Sequence, residues 1–409
     1  MDVPKNVCEP TDLAIFGADA AFENLLHVGR PNIGSKQRLY ERFDDILERR
    51  WLTNGGPYVL EFERRVADLC QVPECVATCN GTIALEIMIR ALGMTGEVIV
   101  PAFTSPATAH ALQWQEIKPV FCDVDPATHN LDPKRIEELI TPLTTGIIGV
   151  HLWGNACDVD ALQEIADRRG LSLMFDASHA FACSHEGTMI GGFGAAESLS
   201  FHATNFFNTF EGGAILTHDS ELAEKMRLMR NFGFKGKDRV EYLGSNGKMT
   251  EVCAAMGLTS FDAMDGFIAS ALGNYHRYRE RTEALAGLHL VPHNKDEASN
   301  YHYIVVQVDE SKAGLSRDEL VRVLEAENVL ARRYFYPGAH LMEPYRSLQP
   351  MAGLVLPVTA KLSESVMVLP TGESVSLDEI DRLMDILRCA LAHPEVVRGQ
   401  LLSLVQAPS

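Results

Sequence analysis

Residues 171–216 read LSLMFDASHAFACSHEGTMIGGFGAAESLSFHATNFFNTFEGGAIL. Two short β-prone runs, 171–175 and 198–201, each end in polar residues able to line a cleft. The first delivers Asp176 and His179; the second delivers Ser200, His202, Thr204 and Asn205. Polar groups at the carboxyl ends of neighbouring parallel strands are where open α/β sheets bind ligands. In the second run Ser200 and His202 alternate with Leu199 and Phe201, which puts the polar pair on one face.

The same rhythm extends to both sides. Apolar runs at 97–101, 119–124, 146–153 and 213–217 read as strands, and the segments 82–92, 133–140, 159–169 and 221–232 read as helices. Asp132 followed by Pro133, and Asp158, are helix caps by residue type. Strand–helix alternation on this scale predicts an α/β fold with a mostly parallel sheet and helices on both faces. Residues 1–41 read as an irregular N-terminal arm broken by Pro4, Pro10, Gly17, Pro31 and Gly34. Residues 42–265 read as the large domain. From about Gly266 a long helix, the run 301–309, a helix near 316–328 and a capping box at Ser376–Glu379 predict a smaller α/β domain over 266–409.

A chain of 409 residues that is 46% apolar and 22% charged is long enough for two domains with buried cores. Its net charge of −19, without a basic run, argues against nucleic acid or an anionic membrane as partner. Nine scattered cysteines form no zinc pattern, so no metal is expected; reduced, mostly buried thiols suit the cytoplasm. The N-terminal MDVPKNVCEP carries no signal pattern, and no apolar run approaches the ~20 residues of a membrane helix.

Asn80-Gly81-Thr82 follows an apolar run and opens a helix. It reads either as a plain turn with Thr82 as cap, or as an anion site in which Gly81 lets a phosphate approach the free N–H groups of the first turn. Asp176 likewise reads as a helix cap or as a ligand carboxylate.

The motifs D-A-S-H-A at 176–180 and S-F-H-A-T-x-F-F-N-T-F-E-G-G-A at 200–214 resemble the pyridoxal-phosphate (PLP) site of the DegT/StrS-type nucleotide-sugar aminotransferases, from about Arg42 to the chain end. The resemblance implies PLP fold type I and a homodimer with shared active sites. It implies that Gly81, Thr82 and Ser200 hold the cofactor phosphate, with Asn246 reaching it from the partner subunit. It further implies that Asp176 pairs with the pyridinium nitrogen, keeping the ring able to take up negative charge, and that His179 contacts the ring or its O3′. Tyr334 and His340, in the segment 333–340, resemble the surroundings of the sugar pocket, although the aromatics there also read as core.

Two positions depart from the pattern. Asn205 stands where the family has the lysine that holds PLP as a Schiff base, and an amide nitrogen is neither a nucleophile nor a base at neutral pH. Ser105 stands where relatives usually have an aromatic stacked on the ring, with Phe103 as the one substitute nearby. Four functions remain open at this point. The first is a sugar-aminotransferase-like protein that binds PLP or pyridoxamine phosphate (PMP) non-covalently, with a nucleotide-linked keto-sugar as substrate. The second is an ordinary aminotransferase captured as a lysine-to-asparagine variant. The third is a PMP-dependent sugar dehydratase-like enzyme, in which His179 or His202 would have to supply the base. The fourth is a non-catalytic dimeric descendant.

Overall fold

Capped helices and short β-branched runs alternate along the first two thirds of the chain. The structure, a computed structural model, describes residues 9–406. The signal-peptide reading, Pro4 and Cys8 therefore lie outside the described residues. In chain order the main elements begin with α1 (Lys36–Arg49), α2 (Pro57–Cys70), β1 (Glu74–Thr78), α3 (Gly81–Ala91), β2 (Glu97–Pro101) and α4 (Pro106–Gln113). They continue with β3 (Lys118–Cys122), β4 (Thr144–Val150), α5 (Val159–Arg169), β5 (Ser172–Asp176), β6 (Glu197–Ser200) and β7 (Gly213–Thr217). Then come α6 (Ser220–Met229), α7 (Glu251–Phe261), α8 (Met264–Thr282), β8 (Leu288–Leu290), β9 (Ile304–Val308), α9 (Arg317–Ala326), β10 (Val366–Leu369) and α10 (Leu377–Ala392).

The seven strands β1–β7 form one sheet in the order β1-β7-β6-β5-β4-β2-β3. All neighbours are parallel except β7, which runs antiparallel to both β1 and β6. The strands are mostly buried, as a sheet covered on both faces requires. A second, antiparallel sheet of β8, β9 and β10 packs with α8, α9 and α10 around its own apolar core. The fold is that of the PLP-type large domain with a mostly parallel sheet, followed by a smaller α/β unit.

The helix caps act as their residue types predict. Asp158 Oδ1 accepts from the Ala161 amide at 3.1 Å, and Ser376 with Glu379 closes a reciprocal capping box at the start of α10. Three expectations fail. The segment 133–140 forms two 3-10 turns, Pro133–Arg135 and Glu137–Leu139, in place of one helix. The strand expected over 146–153 stops at Val150: Asn130 Oδ1 takes the Leu152 amide at 3.0 Å, and Trp153 adopts a left-handed φ of 60°. The arm is also not wholly irregular. Leu13, Ile15, Phe22 and Leu26 are buried in the core around β8–β10, and Leu26–His27 pairs in parallel with Val329–Leu330.

One buried pair lies behind the strands that carry the site. Glu197, which opens β6, and His151, just past β4, are both inaccessible, with His151 Nε2 and Glu197 Oε2 3.6 Å apart. Burial pushes the Glu197 carboxyl up from 4.5 to about 8 and the His151 imidazole down from 6.5 to about 3. His151 Nδ1 accepts the Cys157 amide, so the ring stays neutral with its proton on Nε2. The two groups have opposite signs in stability. Glu197, raised in the folded state, favours folding fully below about 4.5 and loses that contribution as pH rises through about 8. His151, lowered, loses its contribution only as pH falls from about 6.5 toward 3. The melting temperature is therefore expected to fall as pH rises from about 6 to about 9, and Glu197→Gln should flatten that fall. Parallel pH–Tm curves for the two proteins would refute the assignment.

Candidate active site

The carboxyl ends of β1, β2, β5 and β6 open onto a cleft of about 770 Å³, closed on its far side by residues 331–336. Asp176, the last residue of β5, is 5% exposed. Its Oδ2 accepts from Thr108 Oγ1 at 2.9 Å, and its Oδ1 accepts from the Ser178 amide at 3.1 Å and Ser178 Oγ at 2.6 Å. All three donors are neutral, and among the described residues no cation pairs with this carboxylate. A buried carboxylate without a cation is poorly compensated.

The second feature is the N-terminus of α3. Asn80 caps it, its Oδ1 taking the Ile83 amide at 2.8 Å, and the amides of Gly81 and Thr82 find no acceptor among the described residues. The backbone is pressed close here. A Cβ on Gly81 would lie 2.9 Å from Ser200 Cβ, and one on Gly213 would lie 2.5 Å from the Asn80 carbonyl carbon. Only glycine lets β7 and the turn after β1 approach this closely. Free helix-terminal amides beside the Ser200 hydroxyl suit a phosphate. The set of phosphate donors, an uncompensated carboxylate and a cleft between them fits the phosphate and pyridinium ends of PLP or PMP, and when bound that cofactor would supply an electron sink.

Asn205 lines the cleft and is anchored: its Nδ2 donates to the Ser200 carbonyl at 2.7 Å. Among the described residues no lysine lines the cleft. His179 also lines the cleft, layered with Trp153 and Phe335 at interplanar angles of 22° and 14°. The Trp153 amide donates to its Nδ1 at 3.4 Å, and burial lowers the imidazole to about 3. His179 is thus neutral with its proton on Nε2. His202 Nδ1 accepts from the Thr204 amide at 3.3 Å, and its Nε2 faces Glu211 Oε1 at 3.5 Å. The Nδ1 lone pair of His179 is thereby taken by a backbone amide, and His202 Nδ1 also lies 2.8 Å from Thr204 Oγ1, so both rings are held by their neighbours.

Other expected residues divide. Gly81, Thr82, Ser105, Asp176, His179, Ser200, Asn205 and Tyr334 all line the one cleft. Ser105 also caps α4, accepting the Ala107 amide at 3.3 Å. Phe103 is not a ring platform: it is fully buried, edge-on to His129, Trp153 and Phe335. His340, expected beside the sugar pocket, is 1% exposed, packs on Phe121 and does not line the cleft. The apolar surroundings of the short turn Ala339–Leu341 draw its ring inward. Asn246 is exposed, holds Lys248 Nζ through its Oδ1 at 2.7 Å, and lies outside the cleft of its own chain. Sequence reading passed over Thr108 and Trp153, which position Asp176 and His179, and Arg332, which lines the cleft. Thr108 stands in the FTSPATAHA segment, but only its hydroxyl contact with β5 marks it as part of the site.

Together the sheet order and the cleft at its carboxyl edge define a PLP-type aminotransferase fold. The chain belongs to the DegT/DnrJ/EryC1/StrS aminotransferase family, whose model matches residues 34–388. It is 37% identical over 368 residues to the dTDP-4-amino-4,6-dideoxy-D-glucose transaminase of Shigella dysenteriae, covering 90% of this chain and 99% of the relative. The GDP-perosamine synthase of Caulobacter vibrioides is 32% identical, with 88% and 96% covered. The crystal structure of DesI in the presence of its TDP-sugar product superposes with a TM-score of 0.91 at 46% identity, covering 97% of this chain and 99% of that one. These relatives are nucleotide-sugar aminotransferases, and family members are PLP-dependent. Among the described residues no single helix is long and apolar enough to cross a membrane, and no group of three or more His, Cys, Asp or Glu could hold a metal.

Proposed function

We propose that this protein binds PLP or PMP non-covalently in the cleft and acts there on a nucleotide-linked keto-sugar, as a sugar-aminotransferase-like member of its family. The observation that carries this reading is a cofactor-shaped set of contacts in a cleft that no lysine lines among the described residues. Gly81, Thr82 and Ser200 hold the phosphate, Asp176 holds the protonated ring nitrogen, and His179 presents an N–H beside them. Asn246 is exposed and outside its own cleft, which supports its service to the cleft of a second copy in a homodimer. Tyr334 with Arg332 and Arg333 at the mouth suits the sugar and its phosphates. The proposed division is an arm over 1–41, a cofactor domain over 42–265 and a small domain over 266–409, in the cytoplasm.

Absorbance spectra of the purified protein with added PLP test this directly. The cofactor is expected to bind reversibly and to wash out on dialysis, with borohydride fixing no label at position 205. Stable covalent attachment at another residue such as Lys248 would refute non-covalent binding. Failure to bind PLP or PMP at all would favour the non-catalytic alternative.

A further inference from the structure

The orientation of the Asn205 amide decides what position 205 offers a ligand. Its Nδ2 lies 2.7 Å from the Ser200 carbonyl oxygen. A carbonyl oxygen only accepts, so the amide cannot be turned over without setting two acceptors against each other. Oδ1 is thereby directed away from Ser200, and it has no partner among the described residues. A family lysine would bring to this position a group that bonds to an aldehyde. Asn205 brings a fixed hydrogen-bond acceptor, Oδ1, beside the second N–H of an amide nitrogen whose first N–H is spent on Ser200. The rest of the lining carries the carboxylates of Asp176, Glu211 and Glu325 and the guanidinium groups of Arg332 and Arg333, with no lysine among the described residues.

We infer that the cleft is built for the amine form of the cofactor, PMP, in preference to the aldehyde form, PLP. This rests on the reading that a pyridoxal-type cofactor occupies the cleft with its C4′ substituent toward position 205. The two forms share the ring and the phosphate, and they differ at that substituent alone. PMP carries an ammonium with three donors there, which complements Asn205 Oδ1. PLP carries a carbonyl oxygen there, an acceptor that Asn205 can meet only through its second Nδ2 N–H, in a neutral hydrogen bond, with no lysine to convert it. A charge-assisted hydrogen bond in place of a neutral one corresponds to about a tenfold difference in affinity.

Calorimetric titration of the full-length protein with PMP, PLP and 4′-deoxypyridoxine 5′-phosphate tests this without any turnover. The third compound has a methyl group at C4′ and so measures the ring and phosphate contacts by themselves. PMP is expected to bind at least about tenfold more tightly than PLP, with the deoxy analogue between them. In Asn205→Leu, or Asn205→Ala should the leucine variant not fold, the preference should shrink to about twofold or less while the deoxy analogue binds as before. PLP binding as tightly as PMP to the unaltered protein would overturn the inference and leave the proposed cofactor site standing. A preference that survives in the variant would overturn the role of Asn205. Failure of all three compounds to bind would overturn both the cofactor site and the inference.

Discussion

Asn205→Lys is expected to turn the protein yellow with PLP, to fix the cofactor to the introduced lysine under borohydride, and to restore little turnover. The first half follows from what is retained. The α3 amides, Ser200 and Asp176 still frame the cleft, and position 205 still lines it. Lysine supplies both a nucleophile and a proton carrier, each typically worth at least ~10² in rate. His179, a neutral ring whose Nδ1 takes the Trp153 amide, has no free lone pair with which to cover for it. The second half follows from Ser105, where relatives usually place an aromatic ring and where Phe103, buried in the core, is no substitute. Asn205→Lys combined with Ser105→Phe should therefore exceed Asn205→Lys by itself, even though losing the Ser105 cap of α4 destabilises by about 1 kcal/mol. Transamination of a nucleotide-linked keto-sugar with glutamate as donor is the assay. Full activity from the single change would show an ordinary aminotransferase lacking one residue, and the notion of a wider divergence would be wrong.

Asp176→Asn should separate stability from binding. In the free protein the carboxylate is almost wholly buried and receives only Thr108 Oγ1, Ser178 N and Ser178 Oγ. Asparagine keeps an acceptor for Ser178 and turns a donor toward Thr108, while removing a buried charge that has no cationic partner. The melting temperature of the cofactor-free protein is expected to hold or to rise by about 2 °C or more. Affinity for PLP and PMP should fall on the order of 10²-fold, because the pyridinium loses its counter-charge in a site shielded from water. Thermal scans without cofactor and titrations with it give the two numbers. A large drop in melting temperature with unchanged affinity would place Asp176 among structural caps and remove it from the cofactor site.

Much of this architecture is legible in short stretches of chain because its signals are local. The runs 171–175, 198–201 and 213–217 fall on β5, β6 and β7 to within a residue, since short runs with successive or alternating apolar residues between turn residues report their own backbone conformation. Asp158 and Ser376 mark helix starts because a cap bonds only two or three residues ahead. The polar residues after β5 and β6 meet in one cleft because parallel neighbours bring their carboxyl ends to the same edge.

What only the tertiary structure decides is the state and direction of the side chains. Phe103 and Ser105 stand two residues apart, yet one enters the core and the other the cleft. His340 shares a segment with Tyr334, yet burial against Phe121 takes it out of the site. His179 is neutral with its proton on Nε2 because the backbone of Trp153 reaches it across 26 residues, and Asp176 is held by Thr108 across 68. The amide of Asn205 has its facing set by a carbonyl five residues back, but only because the chain turns sharply after β6. Residue type and spacing thus determined the sheet, the helix starts and the edge where the cleft lies. Proton positions and acceptor directions came from contacts between segments far apart in sequence, because desolvation and hydrogen bonding depend on every atom nearby and periodicity records only the chain's own turn.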